Sequence, residues 1–176
     1  WGHATAAMRG PRDNFSTLRA MLKAPADAAL VQALSDWTEQ RFIAIEPLLS
    51  RRRQKERVRE GHGDLHLANL VLIDGEVLPF DAIEFNDELR WIDVASDMAF
   101  AWMDLLDHGQ PGLANVLLSE WTDASGDVSA HTVWGFFASY RAGVRAKVAA
   151  IRAGQLAGTP EADEHLAEAR RYLALA

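Results

Sequence analysis

Apolar residues recur at helical spacing along most of the chain, and one short interval breaks that rhythm. Asn14 or Ser16 is placed to cap a short helix through Lys23, and Pro25-Ala26-Asp27 opens a longer one toward Arg53, with an interruption expected near Pro47. In that second helix Leu30, Leu34, Trp37, Phe42 and Ile45 fall near the helical repeat and are expected in the core. The interval that differs lies around residues 70–80. Leu70 to Ile73 and Val77 to Phe80 are short apolar runs on either side of Asp74-Gly75, which predicts a β-hairpin.

From Leu89 to Leu106 the residues are apolar almost all round, so a buried helix is predicted there. Asp93, Asp97 and Asp104 would share one face of it, and a buried carboxylate is costly unless it is hydrogen-bonded or paired. Val94, Met98 and Phe100 leave Asp97 little polar surroundings, whereas Asp93 and Asp104 could equally be solvated or salt-bridged. A last helix is predicted from about Ala130 to Ala153, with Trp134, Phe137, Val144, Val148 and Ile151 as its apolar stripe. Arg141 lies on the edge of that stripe, Arg145 one turn on, and Lys147 on another, solvated flank. The two arginines call either for a structural carboxylate partner or for an anionic group in a substrate pocket. Trp37, Trp91, Trp102 and Trp134 sit in apolar helical patterns that core packing explains.

Chemistry concentrates in residues 61 to 81. Gly-His-Gly-Asp-Leu-His-Leu-Ala-Asn precedes the hairpin, and Phe80-Asp81 follows it. A phosphoryl-transfer site needs a carboxylate to orient and accept the proton of the attacking hydroxyl, and oxygen ligands for the magnesium that bridges the nucleotide phosphates. Asp64 suits the first task, and Asn69 and Asp81 suit the second. The hairpin carries Asn69 at its start and Asp81 at its exit, so both candidate ligands would emerge at the same end of one unit.

The Asp64-x-x-x-x-Asn69 spacing matches the protein-kinase catalytic loop. His62-Gly63-Asp64-Leu65-His66-x-x-Asn69, then Asp81, then Asp97-Met98-Ala99, resembles the aminoglycoside phosphotransferase and choline kinase branch of the protein-kinase-like fold. The run from Phe80 to Asp97 is similar to a bacterial subgroup of that family often fused ahead of a P-loop kinase domain. The resemblance extends from about Arg59 to Arg152. It implies a mainly α fold with a small β-hairpin, the C-terminal lobe of a kinase-like enzyme with its N-terminal lobe absent. Residues 1–176 would form a single domain: a helical lead-in over 1–58, the catalytic loop and metal-binding hairpin over 59–81, and a helical core over 82–176.

The resemblance further implies ATP and Mg2+ as cofactors, Asp64 as catalytic base, and Asn69 and Asp81 as metal ligands. His62 and Asp97 would support the catalytic loop, with Asp97 accepting its backbone N–H groups. Two departures, Gly63 where protein kinases carry arginine and Ala82-Ile83 after Asp81, point to a small-molecule hydroxyl as acceptor rather than a protein. His66, Glu84, Asp87, Glu88, Arg141 and Arg145 are candidate substrate contacts, the acidic three suiting a cationic, amine-bearing acceptor or simply forming a surface loop.

Composition narrows the picture further. With 49 % hydrophobic residues in 176, the chain can bury a substantial core, and a net charge of −7 argues against general affinity for nucleic acid or anionic membranes. Cysteine is absent, which excludes disulfides and thiolate metal sites. No apolar run reaches the roughly 18 residues of a membrane span, and no signal-peptide layout is present, so a cytoplasmic location is expected. The basic run from Arg51 to Arg57 reads as a solvated helix end. Before the loop the only glycines are Gly2, Gly10 and Gly61 and the only lysines Lys23 and Lys55, so the glycine-rich loop and strand lysine of a kinase are missing. Two other readings stay open. His62, Asp64 and His66 alternate along an extended segment and could, with Asp81 or His108, hold a hydrolytic metal. The chain could also be a non-catalytic binding or regulatory module built on a kinase lobe.

Overall fold

The computed structural model describes residues 2–176. They are mainly helical, with two small antiparallel sheets of two strands each. The helices are α1 (Arg9–Met21), α2 (Pro25–Gln54), α3 (Asp87–Arg90), α4 (Val94–Asp107), α5 (Pro111–Ser125), α6 (Ala130–Gln155) and α7 (Pro160–Leu175), and the strands are β1 (Val58–Glu60), β2 (Leu70–Ile73), β3 (Glu76–Pro79) and β4 (Trp91–Asp93). No helix among the described residues is long and apolar enough to cross a membrane. Two compact units are distinguished, one made of Ile45–Ala138 with the residues up to Ala4, the other of Thr5–Ala44 and Ser139–Ala176.

The second unit is built from α1, the first part of α2, the last part of α6, and α7. Helix α1 starts at Arg9, ahead of the expected caps, because Pro11 falls in its first turn, where a backbone N–H has no helical partner to lose. Asn14 is not a cap: it is buried, and its Nδ2 donates to the Tyr140 carbonyl at 3.3 Å. On this part of α2 the buried positions are Asp27, Val31, Thr38 and Phe42, whereas Leu30 and Trp37, expected in the core, are exposed. Leu30 and Trp37 each lie one residue, about 100° of helix, away from the buried line. The stripe expected on α6 also changes in this unit, where Val148 is exposed and the buried apolar positions are Ala142, Ala146, Ala149 and Ala150. Small residues allow close approach here, as Gly10 shows: a Cβ there would overlap the Tyr140 ring. Helices α2 and α7 are joined by Arg170 and the buried Asp27 at 2.9 Å, and α1 and α6 by Lys147 and Asp13 at 2.7 Å.

The first unit contains the motif region. Helix α2 runs through Pro47 without a break, and the carbonyl that Pro47 cannot serve belongs to Ile43, whose side chain is exposed. Its last turns bury Ile45, Leu49 and Arg52. The helix expected from Leu89 is divided into α3, β4 and α4, because strand formation and capping compete for its first half. Asn86 Oδ1 accepts from Glu88 N at 2.9 Å to start α3, Trp91–Asp93 pairs with β1, and Asp93 Oδ1 accepts from Ala95 N at 2.9 Å to start α4. The hairpin β2–β3 forms at the expected turn with its second strand one residue early, and Asp74 and Gly75 both have positive φ, as a two-residue hairpin turn requires. Trp102 and Trp121 pack against Trp134 at 6.2 and 5.5 Å between ring centroids.

Arg52 is the hub of this unit. Only 1 % of it is exposed, and it makes paired bonds of 2.7 Å to both Asp93 oxygens, bonds of 2.7 and 2.8 Å to Asp127, and one of 2.6 Å to Ser129 Oγ. It therefore ties the end of α2 to the α4 cap and to the α5–α6 connection. The solvated helix end expected for Arg51 to Arg57 is thus wrong at Arg52. Burial opposes the Arg52 charge, but the hydrogen bonds and charges of Asp93 and Asp127 outweigh it and raise the pKa. For Asp127 burial likewise works upward, and the bonds from Arg52 and Ser129 reverse it, holding the carboxyl below its ordinary range.

Candidate active site

The loop from Gly61 to Asn69 is irregular backbone, and such a segment keeps one shape only if its N–H groups find partners. Helix α4 supplies them. Asp97 accepts from His62 N at 2.7 Å and from Gly63 N at 3.0 Å, and Asp104, two turns along the same face, accepts from Leu67 N at 2.9 Å. Both carboxylates are buried. Between them Phe100 packs its ring edge-on to His66, 5.5 Å between centroids. At Gly63 φ is +85°, and a Cβ would lie 2.8 Å from the Leu89 carbonyl oxygen. Glycine rather than arginine at that position therefore follows from local backbone geometry.

Within the loop, Asn69 Nδ2 donates to the Asp64 carbonyl at 2.9 Å and to Asp64 Oδ2 at 3.2 Å. That commits the amide nitrogen and leaves Oδ1 as the acceptor Asn69 can offer. His66 Nε2 lies 3.4 Å from the same Asp64 oxygen. The Asp64 side chain is partly exposed, with Oδ2 as the oxygen that Asn69 holds. His62 is fully engaged: its Nε2 meets the Phe80 carbonyl at 2.8 Å and its Nδ1 accepts from Asp64 N at 3.3 Å. With both ring nitrogens used, His62 has no lone pair for a metal, which removes one ligand from the alternative hydrolytic set.

Asp81 is exposed, and two backbone bonds bracket it: Phe80 N to the Asn69 carbonyl at 3.0 Å and Ile83 N to the His62 carbonyl at 2.9 Å. Its φ of +61° is uncommon outside glycine and is best tolerated by aspartate and asparagine. The structure thus brings His62, Asp64, His66, Asn69 and Asp97 together, with Asp81 anchored at the hairpin exit. The donors open to a cation, Asn69 Oδ1 and the Asp81 carboxylate, are hard oxygens of the kind magnesium takes.

The remaining candidates are dispersed. Glu84, Asp87 and Glu88 are exposed, and Asp87 is partly engaged by Arg90 at 3.2 Å. Arg141 and Arg145 belong to the other compact unit. Arg141 is buried over the Tyr140 ring at 5.1 Å, and Arg145 donates to Tyr172 Oη at 3.2 Å. Among the described residues, Asp104, Asp107 and His108 could bring ligand atoms within 4.8 Å of one another, although Asp104 already serves Leu67 N and His108 Nδ1 already meets the Asp104 carbonyl at 2.8 Å. Sequence reasoning missed Arg52 and Phe100. For Arg52 the signal was available, since Ile45, Leu49 and Arg52 continue one helical line.

No family model matches the chain, and no solved structure matches it. The chain is 33 % identical over 175 residues to uncharacterized proteins of Mycobacterium tuberculosis and Mycobacterium bovis. The similarity covers 99 % of this chain and 34 % of each relative, so the chain spans about a third of the length of these relatives.

Proposed function

We propose that the chain is the helical lobe of a kinase-like phosphotransferase that moves the γ-phosphoryl group of ATP to a hydroxyl of a small molecule, aminoglycoside-, choline- or sugar-like. One observation carries the reading: Asp64 is held on one oxygen by Asn69 within a loop whose amides are fixed by Asp97 and Asp104. A partly exposed carboxylate with one oxygen fixed can orient a hydroxyl and accept its proton. Asn69 Oδ1 and Asp81 are the residues that would hold magnesium, which when bound offsets charge on the nucleotide phosphates. The exposed carboxylates Glu84, Asp87 and Glu88 suit an acceptor that carries an amine. A nucleotide-covering N-terminal lobe and a P-loop kinase domain would come from further polypeptide, in keeping with relatives about three times as long. A cytoplasmic setting, where ATP is supplied, belongs to the same proposal.

Calorimetric titration with ATP, with and without magnesium, tests the reading on the chain and on a two-lobed form. Magnesium-dependent binding that Asp81→Ala abolishes is the expected outcome. Binding indifferent to both magnesium and Asp81 removes Asp81 from the site, and no binding by either form favours the non-catalytic module.

A further inference from the structure

We propose that His66 is a positioning residue for Asp64, holding one carboxylate oxygen in place through Nε2 rather than touching the acceptor. Its functional consequence rests on the phosphotransferase reading above, whereas the contact itself does not. Two nitrogens converge on Asp64 Oδ2: Asn69 Nδ2 donates to it at 3.2 Å, and His66 Nε2 lies 3.4 Å from it. The His66 backbone is fixed at both ends, its N–H donating to the Asp64 carbonyl and its carbonyl accepting from Asn69 N, each at 2.9 Å. Its ring is held from below by Phe100, which lies on α4 between the two aspartates that fix the neighbouring amides.

The other ring nitrogen explains why this residue is a histidine. Nδ1 is buried and meets no hydrogen-bond partner among the described residues, although His66 is only 9 % exposed. Buried polar atoms without partners are rare and need a reason. A phenyl ring or a leucine would fill the space beside Phe100 without leaving a polar atom unmet, so packing alone does not call for imidazole. What imidazole adds is Nε2, aimed at the carboxylate. A proton on Nδ1 would place a bare Nε2 lone pair against Asp64, so the tautomer that fits carries its proton on Nε2. With Oδ2 held from two sides, the carboxylate loses the rotation that would carry it away from a reacting hydroxyl.

Two measurements test the inference. In NMR of the imidazole nitrogens of the histidine-labelled chain, His66 is expected as the Nε2–H tautomer, and Asp64→Asn should move its Nε2 resonance while leaving His108 unchanged. A proton on Nδ1, or an Nε2 resonance indifferent to Asp64→Asn, overturns the contact. The second measurement is magnesium-dependent ATP hydrolysis, with water as the acceptor. His66→Phe, which keeps a ring against Phe100, should lower kcat on the order of tenfold with KM for ATP unchanged, and His66→Gln, which restores a donor, should recover most of the loss. Parental kcat in His66→Phe, or a raised KM with kcat intact, overturns the positioning role. A parent chain and two-lobed form that hydrolyse no ATP would remove the phosphotransferase reading, and the NMR result would still decide the contact.

Discussion

The loop 61–69 and the hairpin β2–β3 are consecutive in sequence and are held in opposite ways. The loop is fixed by polar side chains: the buried Asp97 and Asp104 on its amides, the buried Asn69 on Asp64, and His62 on the Phe80 carbonyl. The hairpin is held by its own ladder and turn, and its apolar side chains stay in solvent, with Leu72 69 % and Val77 61 % exposed. A buried acceptor defines a backbone position to within a hydrogen bond and penalises any departure, whereas an exposed apolar side chain defines little. The geometry around Asp64 is therefore specified by a handful of polar residues, and the hairpin tolerates substitution as long as it returns the chain to Asp81.

The sharpest way to break this comparison is Arg52→Met. It leaves Asp93 and Asp127 buried without their cation, and it should cost about 3–5 kcal/mol in urea unfolding, as loss of one partner of a buried ion pair does. Loss of less than about 1 kcal/mol would mean that the cluster contributes little to the first unit. The same cluster sets an acid limb. The Asp127 carboxyl is held below its ordinary value, so its contribution is fully present above the unfolded carboxylate value of about 3.9 and disappears as pH falls through the lower folded value. The melting temperature should hold from neutral pH to about 4 and then fall, and Arg52→Met should flatten that fall.

A smaller effect is expected at the loop itself. Asp104→Ala strands the Leu67 amide and should cost about 1–3 kcal/mol, with hydrogen exchange at Leu67 rising before that of the hairpin amides. Uniform acceleration across both regions would erase the distinction between them. Smallest of all, Leu72→Thr on the exposed hairpin should change stability by no more than about 0.5 kcal/mol, and a loss above about 2 kcal/mol would show that the hairpin is held by apolar burial after all.

How much of this was legible in the sequence follows the same division. Local signals read well. Asp74-Gly75 between two apolar runs marks the turn, and Pro25 marks the start of α2. Features that depend on distant partners did not. Trp91–Asp93 looks helical until β1, some thirty residues earlier, is there to pair with it, and Arg52 looks solvated inside a run of cations until Asp93 and Asp127 close around it. Leu30 and Trp37 share the periodicity of a buried face without lying on it, because apolar spacing fixes a stripe only to within about one residue. At the candidate site, Asp64, Asn69 and Asp81 could be picked out by type and spacing. The service of Asp104 to Leu67 and of Phe100 to His66 required knowing which face of α4 meets the loop.

The most direct test of the central claim uses ATP labelled on its γ-phosphate, incubated with magnesium, a panel of amine-bearing and sugar alcohols, and the chain in its two-lobed form. Magnesium-dependent transfer of label to one class of hydroxyl, reduced about 10²–10⁴-fold by Asp64→Asn without a change in melting temperature, is the predicted result. Equal transfer by the parent and by Asp64→Asn would contradict the account.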